Sequence, residues 1–252
     1  GVDKQKAASE AKVSGGAKTL IYAVLIFLTI VFLGPILFIL LNSFKDRFAI
    51  STNPFALPVG ELWAGLSNYI TGVQGEGFGW AIVWSFVITI LSVVAIVFFS
   101  SMTAYYITRV KTWWTSALYY LFVFSMVIPF QMVMFPTVVI ADRLGLANPL
   151  GMVVLYMGFG AGLSVFMFSG FIKSIPLEIE EAATIDGCSP ISTFFRVVMP
   201  MLKPTAITVA ILNAMWIWND YLLPYLVVGL STPYSTIPVV IQQFIGSQGD
   251  RD

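Results

Sequence analysis

Three polar side chains within an apolar segment are the first candidates for chemistry. Asn213, Trp216 and Asp220 fall at i, i+3 and i+7, which aligns them on one face of a helix, and Asn219 adjoins them. A carboxylate at the centre of a helix in lipid costs roughly 2.5–3.5 kcal/mol on insertion scales, so such an acid faces protein or water. Indole rings stack on apolar C–H faces, while amides and carboxylates bind hydroxyls, so this face suits a polyhydroxylated solute lining a pathway. The same Trp216, Trp218 and Asp220 also read as an interfacial belt near the outer boundary, and both readings stand.

The second candidate is a polar insert between two strongly hydrophobic segments, Glu181-Ala182-Ala183-Thr184-Ile185-Asp186-Gly187, followed after nine residues by Val197-Val198-Met199-Pro200. Pro176 suits the first turn of a helix, where its missing N–H has no intrahelical partner. Glu178, Glu180 and Glu181 place negative charge near the positive end of that helix's dipole. Gly187 is a natural stop. A second short helix is predicted to open with Ser189 as cap and Pro190 as first residue, to carry Ile191, Phe194, Phe195 and Val198 as one apolar stripe, and to end at Pro200. The product is a helix–turn–helix hairpin of the kind that docks in a groove. An amphipathic loop resting on lipid headgroups is the plainer alternative.

Catalysis finds little support. The chain has no histidine, a single cysteine (Cys188), no GxSxG nucleophile elbow and no GxxxxGK[ST] phosphate loop. Cys188 reads as a small loop residue, and no metal-ligating cluster is evident. Hydrophobic residues make up 58% of the chain and charged residues 10%, and mean hydropathy is +0.88, which marks a membrane protein. A net charge of zero argues against nucleic acid.

The elements that must position these groups are membrane spans, each needing about 20 apolar residues. Five segments qualify, at roughly 19–41, 80–107, 115–140, 149–172 and 205–230. The first is too long for a signal peptide and reads as a retained anchor after a cytoplasmic tail, 1–18. An outer loop, 42–79, separates it from a transmembrane core, 80–230, whose cytoplasmic loop is 173–204. With the N-terminus inside, Lys4, Lys6, Lys12, Lys18, Arg109, Lys111, Lys173, Arg196 and Lys203 lie in the cytoplasm, against Lys45, Arg47, Arg143 and Arg251 outside. Pro129, Pro136, Gly158, Gly160 and Gly162 read as ordinary kinks and close-packing sites of a membrane bundle.

The spacing from Glu181 to Pro200 resembles the signature loop of the membrane subunits of bacterial ABC importers. Ala104-Tyr105-Tyr106-Ile107-Thr108-Arg109, Arg143-Leu144-Gly145-Leu146 with Asn148, and the stretch from Trp216 to Pro224 are similar to the carbohydrate-importer branch, which includes the smaller permease of the maltose transporter. Val197 and Met199 stand where Ile and Leu are common. The resemblance spans about residues 20–245 and implies an all-α membrane protein, a polytopic helix bundle of the type I ABC importer permease kind. Five spans are apparent, and the sixth that the resemblance implies, after an outer loop 231–252, is absent from the sequence.

The resemblance also implies function. It makes the chain a non-enzymatic permease subunit in the cytoplasmic (inner) membrane of a prokaryote, forming half of a sugar pathway with a second permease subunit. Two ATP-binding subunits hold ATP and magnesium, and this chain binds no cofactor. An extracytoplasmic solute-binding protein delivers the substrate. Coupling to the ATPase falls to Glu180, Glu181, Ala182, Ala183, Asp186, Gly187, Arg196 and Pro200. The pathway falls to Asn213, Trp216, Asn219 and Asp220, and contact with the binding protein to Pro233, Tyr234 and Thr236. A permease for a non-sugar solute and an ion-driven secondary transporter are the alternatives. The latter ordinarily shows intramembrane acidic relays, for which Asp220 is the sole candidate.

Overall fold

Where an apolar chain must satisfy its own backbone, it coils, and the computed structural model is helical nearly throughout. It describes residues 15–74, 77–229 and 232–242, which divide into two compact units, 1–75 and 76–252. Lys4, Lys6, Lys12, Arg251 and, of the expected outer loop, Ser231 and residues 243–252 lie outside the described residues.

In the first unit, helix α1 (Gly15–Ser43) extends past both predicted ends of the first span. The outer loop that follows is a built knot. Asp46 accepts from Phe48 N and starts α2 (Arg47–Thr52); a 3₁₀ turn (Gly60–Leu62) and α3 (Ser67–Gln74) follow. Lys45, expected as a solvated outer cation, is wholly buried. Its ammonium donates to Asn42 Oδ1 at 3.0 Å and to the carbonyls of Asn53 and Pro54, both at 2.9 Å, so all three of its protons are used. Asn68 Nδ2 closes the knot on the carbonyls of Ser43 and Lys45, and Phe44 stacks on Trp63.

The second unit is built on α4 (Phe78–Arg109), α7 (Pro149–Ile172) and, crossing both, α10 (Lys203–Asn219). At 32 residues α4 is ~48 Å long, well beyond the ~30 Å of hydrocarbon it crosses, so its ends reach polar depth. The core joins Ile88, Ile96 and Ala104 to Met152, Tyr156, Val165 and Phe168. Ser85, Ser92, Ser100, Ser101, Ser164 and Ser169 are buried with them, small residues that let helix backbones approach where lipid offers no hydrophobic drive.

Two predicted spans are not continuous. The segment 115–140 is a bent pair, α5 (Trp113–Ser125) and α6 (Phe130–Arg143), at 107°. Pro129 is the cause, with extended backbone (ψ 137°), no N–H to donate, and a ring that disfavours helical geometry at Ile128. Pro136, by contrast, sits inside α6 without ending it. The segment 205–230 is interrupted at Asp220, whose ψ of 122° separates α10 from α11 (Leu222–Val227). Residues 237–242, within the predicted outer loop, are helical (α12), with Val239 and Val240 buried.

Of the three α7 glycines expected to be close-packing sites, Gly160 and Gly162 are and Gly158 is not. A Cβ at Gly160 would lie 2.6 Å from Ile96 Cδ1, and one at Gly162 would lie 2.8 Å from the Phe122 carbonyl and 2.7 Å from Ser125 Oγ, whereas one at Gly158 would meet nothing within 4 Å. Gly162→Ala therefore forces backbone apart and is expected to destabilise the purified chain by about 1–3 kcal/mol. Gly158→Ala is expected to stabilise it by about 0.5–1 kcal/mol through helix propensity alone. Thermal unfolding in detergent checks the opposite signs.

Candidate functional site

The polar insert folds as the predicted hairpin, with changes at its joints. Its first limb is α8 (Leu177–Ile185). Pro176 stands one residue before it, at the cap in extended geometry, rather than in its first turn. The stop is a Schellman turn: Cys188 N donates to Ala183 O at 2.9 Å and Gly187 N to Thr184 O at 3.0 Å. Gly187 takes φ +84° with open space around it, so its requirement is one of backbone conformation rather than room.

The second limb, α9 (Pro190–Met201), opens as expected, with Ser189 Oγ accepting from Ser192 N and Pro190 as first residue. Pro200 does not end it. The turn from Phe194 to Val198 widens to a π turn, in which Met199 N donates to Phe194 O, and helix continues to Met201. That wide turn accommodates a proline that cannot donate to the carbonyl four residues back. It also breaks the 3.6-residue register, so the predicted stripe divides: Phe194 and Val198 are buried, Ile191 and Phe195 exposed. Leu202 then leads into α10 at a bend of 74°.

Inside the hairpin, Glu180 is the residue that matters to the bundle. Its Oε1 accepts from Arg109 Nε at 2.8 Å and pairs with Arg109 Nη2 at 2.6 Å, while Oε2 accepts from Tyr105 Oη at 2.9 Å. Arg109 Nη2 also donates to Ile175 O at 3.0 Å. Cation and anion each sit where a helix end favours them, Arg109 in the last turn of α4 and Glu180 in the first turn of α8. Ala183 is buried with Glu180, whereas Glu181, Ala182, Asp186, Gly187, Arg196 and Pro200 are exposed. Beside them, Tyr105, Leu177, Glu180, Glu181, Thr184 and Thr193 line a cleft of about 560 Å³.

Ile185 is the group that sequence reasoning missed. It is 86% exposed on a short polar helix, a large apolar side chain with nothing to cover it. Arg109 was read there only as a topological charge and as the end of the family-like stretch from Ala104, since a partner 71 residues away leaves no local signal.

The polar face of α10 packs on α7. Asn213 is buried and donates to Ser164 Oγ and Val209 O. Asp220 accepts from Tyr156 Oη at 3.0 Å and from Leu222 N at 3.1 Å, capping α11 after the break. Trp216 meets the Tyr156 ring edge-on at 5.5 Å, and Trp216 and Asn219 keep exposed surface. The lone tyrosine hydroxyl in the apolar run of α7 was the available signal for this pairing, because such a group needs a partner when buried.

The outer residues Pro233, Tyr234 and Thr236 lie in a segment docked on the start of α4. Tyr234 packs edge-on against Trp84 at 4.9 Å, Ile237 N donates to Ser85 Oγ at 2.8 Å, Thr236 is buried and Pro233 exposed. Trp84 and Arg109 are 25 residues apart on α4, ~37 Å of helix, so this segment and the hairpin occupy opposite ends of the bundle.

This is a polytopic helix bundle carrying a polar helical hairpin at one end, the architecture of a transport subunit. Residues 96–245 match the family model described as the binding-protein-dependent transport system inner membrane component, and the chain belongs to that family. It is 40% identical over 219 residues to the probable starch degradation products transport system permease protein AmyC of Thermoanaerobacterium thermosulfurigenes, covering 87% of this chain and 78% of that one. It is 34% identical over 220 residues to the multiple sugar-binding transport system permease protein MsmG of Streptococcus mutans, covering 86% and 78%. The fold is shared with a bacterial ABC transporter involved in the import of the acidic polysaccharide alginate, at TM-score 0.77 and 21% identity, over 95% of this chain and 83% of that one. The chain is therefore a multi-pass permease subunit of a binding-protein-dependent ABC importer and not an enzyme.

Asp220→Ala removes the acceptor of both Leu222 N and the Tyr156 hydroxyl and is expected to cost about 1–3 kcal/mol. Tyr156→Phe deletes one of those bonds together with its donor and is expected to cost about 0.5–1.5 kcal/mol. Melting of the two purified variants in detergent gives the order.

Proposed function

We propose that this permease carries a sugar or oligosaccharide and that α8 is the element seated in a cleft of the ATP-binding subunit. The carbohydrate reading rests on the relatives AmyC and MsmG, whose names concern starch degradation products and multiple sugars, and on the exposed Trp216 and Asn219 beside the helix break at Asp220. The break supports it physically, since non-helical backbone within a membrane span is tolerated where it is buried in protein or lines a water-filled cavity. The pathway is then shared with a second permease, Trp216, Asn219 and Asp220 bordering the solute while Asn213, and Asp220 through Tyr156, hold their helix to α7.

The single observation that carries the coupling role is the outer surface of α8. Ile185 is bare beside Glu181, Ala182 and Asp186, on a helix whose inner side is fixed by Glu180 and Ala183. An apolar knob rimmed by charge fits an apolar pocket in a soluble partner. The nine-to-four bias of Lys and Arg supports a cytoplasmic side for this hairpin and the N-terminus, and the bacterial sources of AmyC and MsmG support a prokaryotic cell. Two ATP-binding subunits then bind ATP and magnesium, and the segment with Pro233, Tyr234 and Thr236 faces the solute-binding protein outside.

Ile185→Glu is expected to reduce recovery of the ATP-binding subunit with the purified permease by about tenfold or more, because a charge would be buried in that pocket. Gly187→Val strains the backbone by about 1–2 kcal/mol and is expected to lower recovery less. Pull-down quantified against the bundle's own yield is the measurement, and full recovery with Ile185→Glu would remove the docking claim. Separately, Asp220→Asn keeps the shape and removes the charge. It is expected to change the uptake rate or sugar preference in proteoliposomes with assembly intact; unchanged uptake would leave Asp220 a helix cap alone.

A further inference from the structure

The polar bonds between the hairpin's first limb and the bundle converge on the end of α4. Arg109 reaches two points of the first limb: the Glu180 carboxylate, through both Nε and Nη2, and the carbonyl of Ile175 just ahead of Pro176. Tyr105, one turn earlier, donates to the other oxygen of Glu180, and its ring lies 5.2 Å from that of Phe194 on the second limb. Both members of the ion pair are largely screened from water, their side chains 15% and 11% exposed. A planar guanidinium that fills two acceptors from one helix end fixes orientation as well as distance.

We propose that Arg109 is a positioning residue for energy coupling: it clasps α8 to α4, so that displacement of α8 moves the long helix at the centre of the bundle. The inference rests on the docking role of α8 proposed above and goes beyond it, because Arg109 does not belong to the exposed docking surface. Ile185 makes the contact with the ATP-binding subunit; Arg109 carries its movement inward. The geometry favours transmission over simple anchoring of the loop. Anchoring by packing is already provided by Ala183, Phe194 and Val198, all buried, whereas the ion pair adds a stiff, directional link between α8 and the last turn of α4.

The test uses the complete transporter, with this chain, its second permease, the ATP-binding subunits and the binding protein reconstituted together. Two quantities are read for each variant: recovery of the ATP-binding subunit, and stimulation of its hydrolysis of MgATP by the assembled permease. Arg109→Gln is expected to hold the subunit within about twofold of wild type while stimulation falls about tenfold, within the usual range of coupling between sites. Arg109→Lys, which keeps the charge but not the second bond to Ile175, is expected to fall between. The exchange Arg109→Glu with Glu180→Arg is expected to regain part of what each single change loses.

Normal stimulation in Arg109→Gln overturns the proposal. So does loss of subunit recovery in step with stimulation, since Arg109 would then serve docking or folding. Failure of the exchanged pair to recover anything over the two single variants overturns the pairing itself. Failure of the underlying docking role is distinguishable: it shows as full subunit recovery with Ile185→Glu, whatever Arg109 does.

Discussion

Hydrocarbon offers no partner to a free N–H or C=O, and the architecture of this bundle follows from where the chain can stop being helical under that constraint. Several helix starts are closed by a named side chain. Thr112 caps α5 through a reciprocal bond with Thr115, Asn148 accepts from Gly151 N at the start of α7, and Ser189 does the same for Ser192. Within the fifth segment, Asp220 accepts from Leu222 N. A break in a membrane helix is thus made by a proline, as at Pro129, or closed by a side chain that replaces the lost backbone bond, and in the fifth segment that side chain is ionisable.

This accounts for the double character of Asp220. As a cap it satisfies Leu222, and through Tyr156 it ties the break to α7, so its charge is placed among donors rather than lipid. The same arrangement leaves Trp216 and Asn219 with exposed surface next to irregular backbone. On the reading proposed above, structural and solute-facing tasks share one short stretch, where the sequence pattern aligns Asn213, Trp216 and Asp220 on one face with Asn219 adjoining.

What the sequence discloses and what it hides follow the range of the forces involved. Ser189-Pro190 and Gly187 act within four residues, and the hairpin they define is found with its caps in place. The apolar runs likewise reveal the spans, because length and composition are local properties. The bend at Pro129 and the π turn at Phe194 depend on how a proline's missing donor is accommodated, for which a kink, a break and a wide turn are competing solutions; Pro136, lying quietly in α6, shows that residue type does not choose among them. Lys45 and Arg109 were legible only as charges. Their real partners, two carbonyls eight and nine residues on for Lys45 and a carboxylate 71 residues on for Arg109, arise from the fold.

The hairpin also shows why one contiguous motif need not act as one surface. A helix of nine residues, α8, has room for two opposed faces, and adjacent glutamates divide between them. Glu180 turns inward to Arg109 and Tyr105, while Glu181 remains in solvent beside Ile185. Burial of Glu180 is sustained only because both its oxygens are occupied; with the Arg109 donors removed, a desolvated carboxylate would remain, a larger penalty than the pair's net contribution to stability. That asymmetry makes the inner face resistant to gradual slippage. On the coupling role proposed for α8, a limb held in this way carries a displacement to α4 as a unit rather than absorbing it in the loop.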